Sequence, residues 1–308
     1  EAIAEKLEWK RDLYAKIAPH LGPHAILASN TSGLSLDALD DAVPGALRAR
    51  FCGIHFFNPP RYMHLCELVA APSTDAGVLD ALEAFLTTSL GKGVVRAKDT
   101  PNFVANRIGV FSVVATMIHT QRLGLGFDAV DALTGPAIGR AKSATFRTAD
   151  VVGLDTLMHV IGTMRDTLPD DPWHSQFAAP PVVQALVAKG ALGAKSGAGF
   201  YRKAGKDILV LDPAKADYRP SAGAVDADVA AILAIASPAE KFAKLRASAH
   251  PQAELLWSIF RDTFHYAAYQ LAAIADNARD VDLAIRWGFG WQLGPFETWQ
   301  IAGWREVA

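Results

Sequence analysis

A change of pattern near residue 100 constrains this chain more than any other feature. Before it, four short apolar runs, HAILAS (24–29), RFCGIHFF (50–57), LCELVAA (65–71) and GVVRA (93–97), alternate with helix-period segments. Leu7, Leu13, Ile17 and Leu21 predict a helix over 5–21, stopped by Gly22-Pro23. Val78, Leu82, Phe85 and Leu86 predict a second over 75–90, closed by Gly91. Short buried strands separated by helices predict an α/β sheet. Beyond residue 100 the strand pattern disappears. Thr100-Pro101 reads as a helix start with Thr100 as the cap. That helix is expected to run to about Arg122, through Phe103, Arg107, Phe111, Val114 and Ile118. Helices and loops follow. The exception is GFYRKAGKDILVL, which predicts a hairpin turning at Ala204-Gly205.

The helical part repeats itself. NRIGVFSVVATMIH, GFDAVDALTG and ATFRTADVVGLD recur as ELLWSIFRDTFHYAAYQ, ARDVDLAIRWGFG and GPFETWQIAGW. Asp131 aligns with Asp282, Phe146 with Phe296 and Gly153 with Gly303. The expected layout is an α/β domain over 1–100, a helical domain over 101–204, an Ala-, Asp- and Lys-rich linker over 205–250, and a second helical repeat over 251–308.

Composition narrows the function. With 308 residues, 51% of them hydrophobic, the chain can bury a sizeable core in about two domains. Charged residues make up 20% and the net charge is -2, so no basic field supports nucleic-acid binding or adhesion to an anionic membrane. No apolar run reaches the roughly 18 residues of a membrane span. Cys52 and Cys66 form no CxxC pair and have no His at ligand spacing, which argues against a metal site or a disulfide and for a reducing, cytoplasmic setting. The chain opens without Met, directly in EAIAEKLEWKRDLYAKIAPHL, and is read as starting partway through a longer domain.

Four segments carry chemistry. SNTSGL places Ser32 in a loop just past a strand; GIHFFNPP places His55 at a strand's C-terminal end; LCELV places Glu67 in the next strand; PNFVANRIG places Asn106 early in the long helix. A neutral imidazole can accept a proton near neutral pH, and a carboxylate beside it can hold one ring nitrogen as N–H and stabilise the imidazolium. Oxidising an alcohol needs such a base, with polar groups to hold the hydroxyl. Taken singly, each residue has a plainer structural reading. Asn30-Thr31-Ser32 also spells a glycosylation sequon, set aside without a secretory signal. GLGFDA (124–129) fits a glycine-rich nucleotide fingerprint, but it lies between helices rather than after a strand and reads as a decoy.

The string SNTS, HFFNP, ELV and DTPNFVANR resembles, in order and spacing, the 3-hydroxyacyl-CoA dehydrogenase family. The likeness covers nearly the whole chain, including the GLD and GxGFY elements. It implies a partial, Rossmann-like doubly wound α/β domain followed by all-α dehydrogenase domains in two related repeats. It implies His55 as general base, Glu67 orienting it, and Ser32 and Asn106 holding the substrate oxygen. It also implies Glu5, Lys10, Ser32 and Asn58 near the nicotinamide half of NAD, with no metal. The glycine-rich phosphate turn of the family is absent here. GPFE stands only in the second repeat, at Gly294–Glu297, which resembles the long form found in multifunctional fatty-acid oxidation proteins. The implied reaction is NAD-linked oxidation of an L-3-hydroxyacyl-CoA thioester. The implied partners are an enoyl-CoA hydratase domain and a second copy of the chain. The competing expectation is a substrate-binding or assembly piece that binds no NAD.

Overall fold

The computed structural model describes residues 1–307. They divide into two compact units, Glu1–Arg107 with Tyr269–Gly288, and Ile108–Ala268 with residues 289–307.

In the first unit the four apolar runs are strands: β1 (Leu27–Ser29), β2 (Phe51–Phe56), β3 (Leu65–Ala70) and β4 (Gly93–Ala97), ordered 1-2-3-4. β1 and β2 run parallel, as do β3 and β4, whereas β2 and β3 pair antiparallel. The sheet is therefore mixed rather than wholly parallel. Residues 57–64 are too few for a crossover helix, so the chain can only turn back. Helix α1 (Leu7–Ile17) precedes β1; α2 (Leu36–Asp40) and α3 (Gly45–Arg48) join β1 to β2, and α4 (Ala76–Thr88) joins β3 to β4. Asp75 caps α4 by accepting from the Gly77 N–H at 2.7 Å, and Gly91 leaves the helix with φ +65°. Leu27, Phe51, Cys52, Leu65, Cys66, Leu68 and Val69 are buried in the sheet core. Burial pushes both thiols up to about 12. The folded chain should therefore leave a thiol reagent unreacted near neutral pH and release two thiols on unfolding; rapid reaction of either native thiol would contradict the packing.

The long helix α5 spans Ala105–Leu123 and begins four residues later than Thr100-Pro101 predicts. Asn102 and Phe103 have φ +62° and +47°, a left-handed turn that a helix cannot contain. The buried Thr100 hydroxyl has no hydrogen-bond partner, so it caps nothing. The end of α12 (Pro251–Ile274) and most of α13 (Ala278–Phe289) belong to this unit. Lys98 N–H donates to the Ile274 carbonyl at 3.1 Å, and the Trp287 ring meets His64 edge-on at 4.9 Å.

The second unit is helical: α6 (Phe127–Thr134), α7 (Phe146–Val152), α8 (Leu154–Thr167), α9 (Pro181–Ala188), α10 (Ala227–Leu233), α11 (Pro238–Ala247), α14 (Pro295–Ile301) and α15 (Trp304–Val307), with most of α5 and α12. GLGFDA does lie between helices, with Gly124 ending α5 at φ +63°. The predicted hairpin is β5 (Tyr201–Ala204) and β6 (Asp207–Asp212), turning at Gly205-Lys206, and β7 (Asp217–Pro220) adds a third strand. Residues 205–250 thus carry two strands and two helices where composition suggests only a joining segment. One reason is β7's Arg219, which grips buried Asp128 with two 2.8 Å bonds. Another repeat residue, Asp131, caps α7 through the N–H groups of Thr145, Phe146 and Arg147 and takes the Tyr201 hydroxyl at 2.8 Å. The matched glycines Gly153 and Gly303 both adopt positive φ, +99° and +88°.

Burial alone would raise the Asp128 carboxyl, but the Arg219 guanidinium and the Ala222 N–H outweigh it and hold it at about 2. An unfolded aspartate titrates near 4, so this group's contribution is present above pH ~4 and lost as pH falls through about 2. Asp128→Asn should cost about 2 kcal/mol at pH 7 and flatten the acid limb of chemical unfolding between those values. An unchanged acid limb would count against the pair.

Candidate active site

The β2–β3 register sets His55 directly opposite Glu67. Residues facing across an antiparallel pair bring their side chains together, and His55 Nδ1 lies 2.7 Å from Glu67 Oε2. Both are buried, Glu67 completely. Glu67 Oε1 accepts the Val104 and Ala105 N–H groups at 3.0 and 2.8 Å. These amides open α5, so a strand carboxylate does the capping that Thr100 does not. The helix N-terminus favours an anion there, and three donors converge on one carboxylate. The left-handed turn at Asn102 and Phe103 aims those amides. The Phe57 and Phe103 rings stand 4.7 and 5.6 Å from the imidazole and shield it. With Nδ1 committed to Glu67, Nε2 is the ring nitrogen left for a substrate.

Asn106 is the second residue of α5, directly after the amides that hold Glu67. Ser32 lies in the loop after β1, and the Asn30 side-chain oxygen ties that loop to β2 by accepting the Phe56 N–H at 3.0 Å. Among the described residues neither the Ser32 hydroxyl nor the Asn106 amide makes a side-chain hydrogen bond, so both are open to a ligand.

The residues expected at the cofactor divide into two kinds. Glu5 accepts from the Thr31 hydroxyl at 2.8 Å and the Ser32 N–H at 3.1 Å, so it shapes the loop. Lys10 is fully buried and its ammonium binds the Glu1 carboxylate at 2.8 and 3.0 Å. Burial works to raise Glu1, but the hydrogen bonds from Lys10 and Ser29 outweigh it and leave the carboxyl at about 2. Asn58 is exposed, three residues past His55. Asn30 and the Asn102–Phe103 turn escaped the sequence reading. Asn30 reads locally as part of a sequon, and the Thr100-Pro101 cap signal masks the turn.

Two models of one family match the chain: the 3-hydroxyacyl-CoA dehydrogenase NAD binding domain over residues 1–100, and the 3-hydroxyacyl-CoA dehydrogenase C-terminal domain over 103–203. A probable 3-hydroxyacyl-CoA dehydrogenase of Bacillus subtilis is 41% identical over the whole of this chain, which spans 39% of that protein's length. The crystal structure of M. tuberculosis FadB2 is 32% identical with a TM-score of 0.59, covering 66% of this chain and 70% of that one. The 3-hydroxybutyryl-CoA dehydrogenase of Escherichia coli K12 shares the fold over all of this chain and 75% of its own, with a TM-score of 0.71 at 24% identity. No described helix is long and apolar enough to cross a membrane. The motifs, the mixed sheet followed by helical repeats, the paired His55 and Glu67 and these matches agree: the chain belongs to the 3-hydroxyacyl-CoA dehydrogenase family.

Proposed function

We propose that this chain supplies the acid–base half of the NAD-linked oxidation of an L-3-hydroxyacyl-CoA to its 3-ketoacyl-CoA. The observation that carries the reading is the 2.7 Å His55–Glu67 contact, with the second Glu67 oxygen held by two backbone amides. His55 Nε2 takes the proton of the 3-hydroxyl. Glu67 stabilises the imidazolium that forms, as a carboxylate behind a general base does. Ser32 and Asn106 donate to the substrate oxygen and hold it toward Nε2. A bound NAD would supply the hydride acceptor, so that the alcohol, giving a hydride from C3 to it and the hydroxyl proton to His55, loses two electrons and two protons in all and becomes the ketone.

The residues here fit the nicotinamide end of the cofactor. The Ser32 hydroxyl and the exposed Asn58 amide are open to it, while Glu5 and Lys10 act as positioning residues behind the loop. Among the described residues no glycine-rich turn between a strand and a helix N-terminus stands ready for the pyrophosphate. That observation favours a second reading, a substrate-binding part that needs further chain to bind NAD. The paired helical repeats support placing the chain with the long, multifunctional type, beside an enoyl-CoA hydratase unit, and the two free, buried cysteines support a reducing, cytoplasmic compartment. The remaining expectation is a second copy as partner, for which sedimentation supplies the check.

The test is NADH formation from 3-hydroxybutyryl-CoA and a longer homologue, by this chain and by any longer form of the protein. Turnover by the longer form alone supports the substrate-binding reading of this chain. Turnover by neither form contradicts the proposed reaction.

A further inference from the structure

Arg140 is the anomaly of the second unit. It follows Gly139, which turns the chain with φ +73° after the short Pro136–Ile138 segment. Its guanidinium carbon lies 3.8 Å from the Trp291 ring centroid and 5.8 Å from that of Phe260. Nη2 has no solvent contact and no hydrogen-bond partner, and Arg140 forms no ion pair among the described residues. Burial pulls the guanidinium down to about 9. A cation in such a place is costly unless an anion meets it.

The same residue lines a cavity of about 260 Å³. Lys241, on α11, is a second cation on its wall, and it too has no ion-pair partner among the described residues. No acidic side chain lines the cavity. The rest is largely apolar, with Gln292 and Thr298 as the neutral polar groups. The Trp291 ring lies against the guanidinium, and the forked N–H groups of a guanidinium suit a carboxylate. The volume holds roughly nine water-sized groups, close to a six-carbon carboxylate.

We propose that this cavity binds a small amphiphilic carboxylate, its headgroup on Arg140 and Lys241 and its alkyl chain among Ile138, Leu233, Phe242 and Phe260. The site lies wholly within the second unit and uses none of His55, Glu67, Ser32 or Asn106.

Hexanoate is the probe, titrated calorimetrically into the purified 308-residue chain. One equivalent should bind. Arg140→Met and Lys241→Met should each weaken it about tenfold or more, and His55→Gln should leave it unchanged. Hexanol, with the same tail and no charge, should not compete, and inorganic phosphate should bind more weakly than hexanoate. If Arg140→Met does not fold, Lys241→Met and the hexanol competition decide. The proposal is overturned if hexanoate does not bind at millimolar concentration, or if the folded Arg140 and Lys241 variants bind it as the parent does. It is equally overturned if hexanol or phosphate binds as well as hexanoate, if coenzyme A binds there in its place, or if His55→Gln abolishes binding.

Discussion

His55→Gln should lower turnover by about 10²- to 10⁴-fold in the NAD-competent protein while leaving NAD affinity and the fold intact. The range follows from removing a positioned base without disturbing its surroundings. Glutamine fills similar volume between Phe57 and Phe103 and can still hydrogen-bond to Glu67, yet it has no nitrogen able to take the hydroxyl proton. Single-turnover hydride transfer, followed as NADH absorbance, separates the chemical step from binding. Near-parental transfer would remove His55 from the proposed role.

Glu67→Ala has the second large effect, and it falls on stability as well as rate. One carboxylate serves the imidazole and two N–H groups at the start of α5, all at 3.0 Å or less and all in a buried site. Removing it leaves those donors without partners and opens a cavity between a strand and a helix. Urea unfolding of the 308-residue chain should show a loss of about 3–5 kcal/mol. Glu67→Gln, which keeps the volume, should lose less stability but still slow catalysis and shift its pH profile, because the imidazolium loses its anionic partner. A stability loss below about 1 kcal/mol for Glu67→Ala would mean that the carboxylate is not the helix cap.

The strands and the pairing of His55 with Glu67 were legible because both are local signals. Apolar runs bounded by Asn, Pro and Gly mark β2 and β3, and the twelve residues from His55 to Glu67 span one short hairpin, so pairing follows from adjacency. The helix start was not legible for the opposite reason. Thr100-Pro101 is a good local cap signal, but Glu67 lies 37 and 38 residues before the amides it takes, and the buried carboxylate wins over the exposed-type cap. Lys10 shows the same limit. Its likeness to a cofactor contact is visible in the chain, whereas its burial against Glu1 appears only once α1 packs beside β1. The segment 205–250 looks like a linker by composition, and long-range contacts such as Arg219 reaching Asp128, 91 residues away, fold it down. Arg140 carries no sequence signal at all, since an arginine after a glycine turn is ordinarily a solvated residue.

In the proposed reaction Glu67 fixes the His55 ring with its proton on Nδ1 and leaves Nε2 free to act as base. Nitrogen-15 spectra of the histidine side chains in the 308-residue chain, taken where the imidazole is neutral, read this directly. His55 should carry the Nδ1–H tautomer, lost or scrambled in Glu67→Gln. An Nε2–H tautomer in the parent chain would contradict it, because the nitrogen meant to receive the substrate's proton would already hold one.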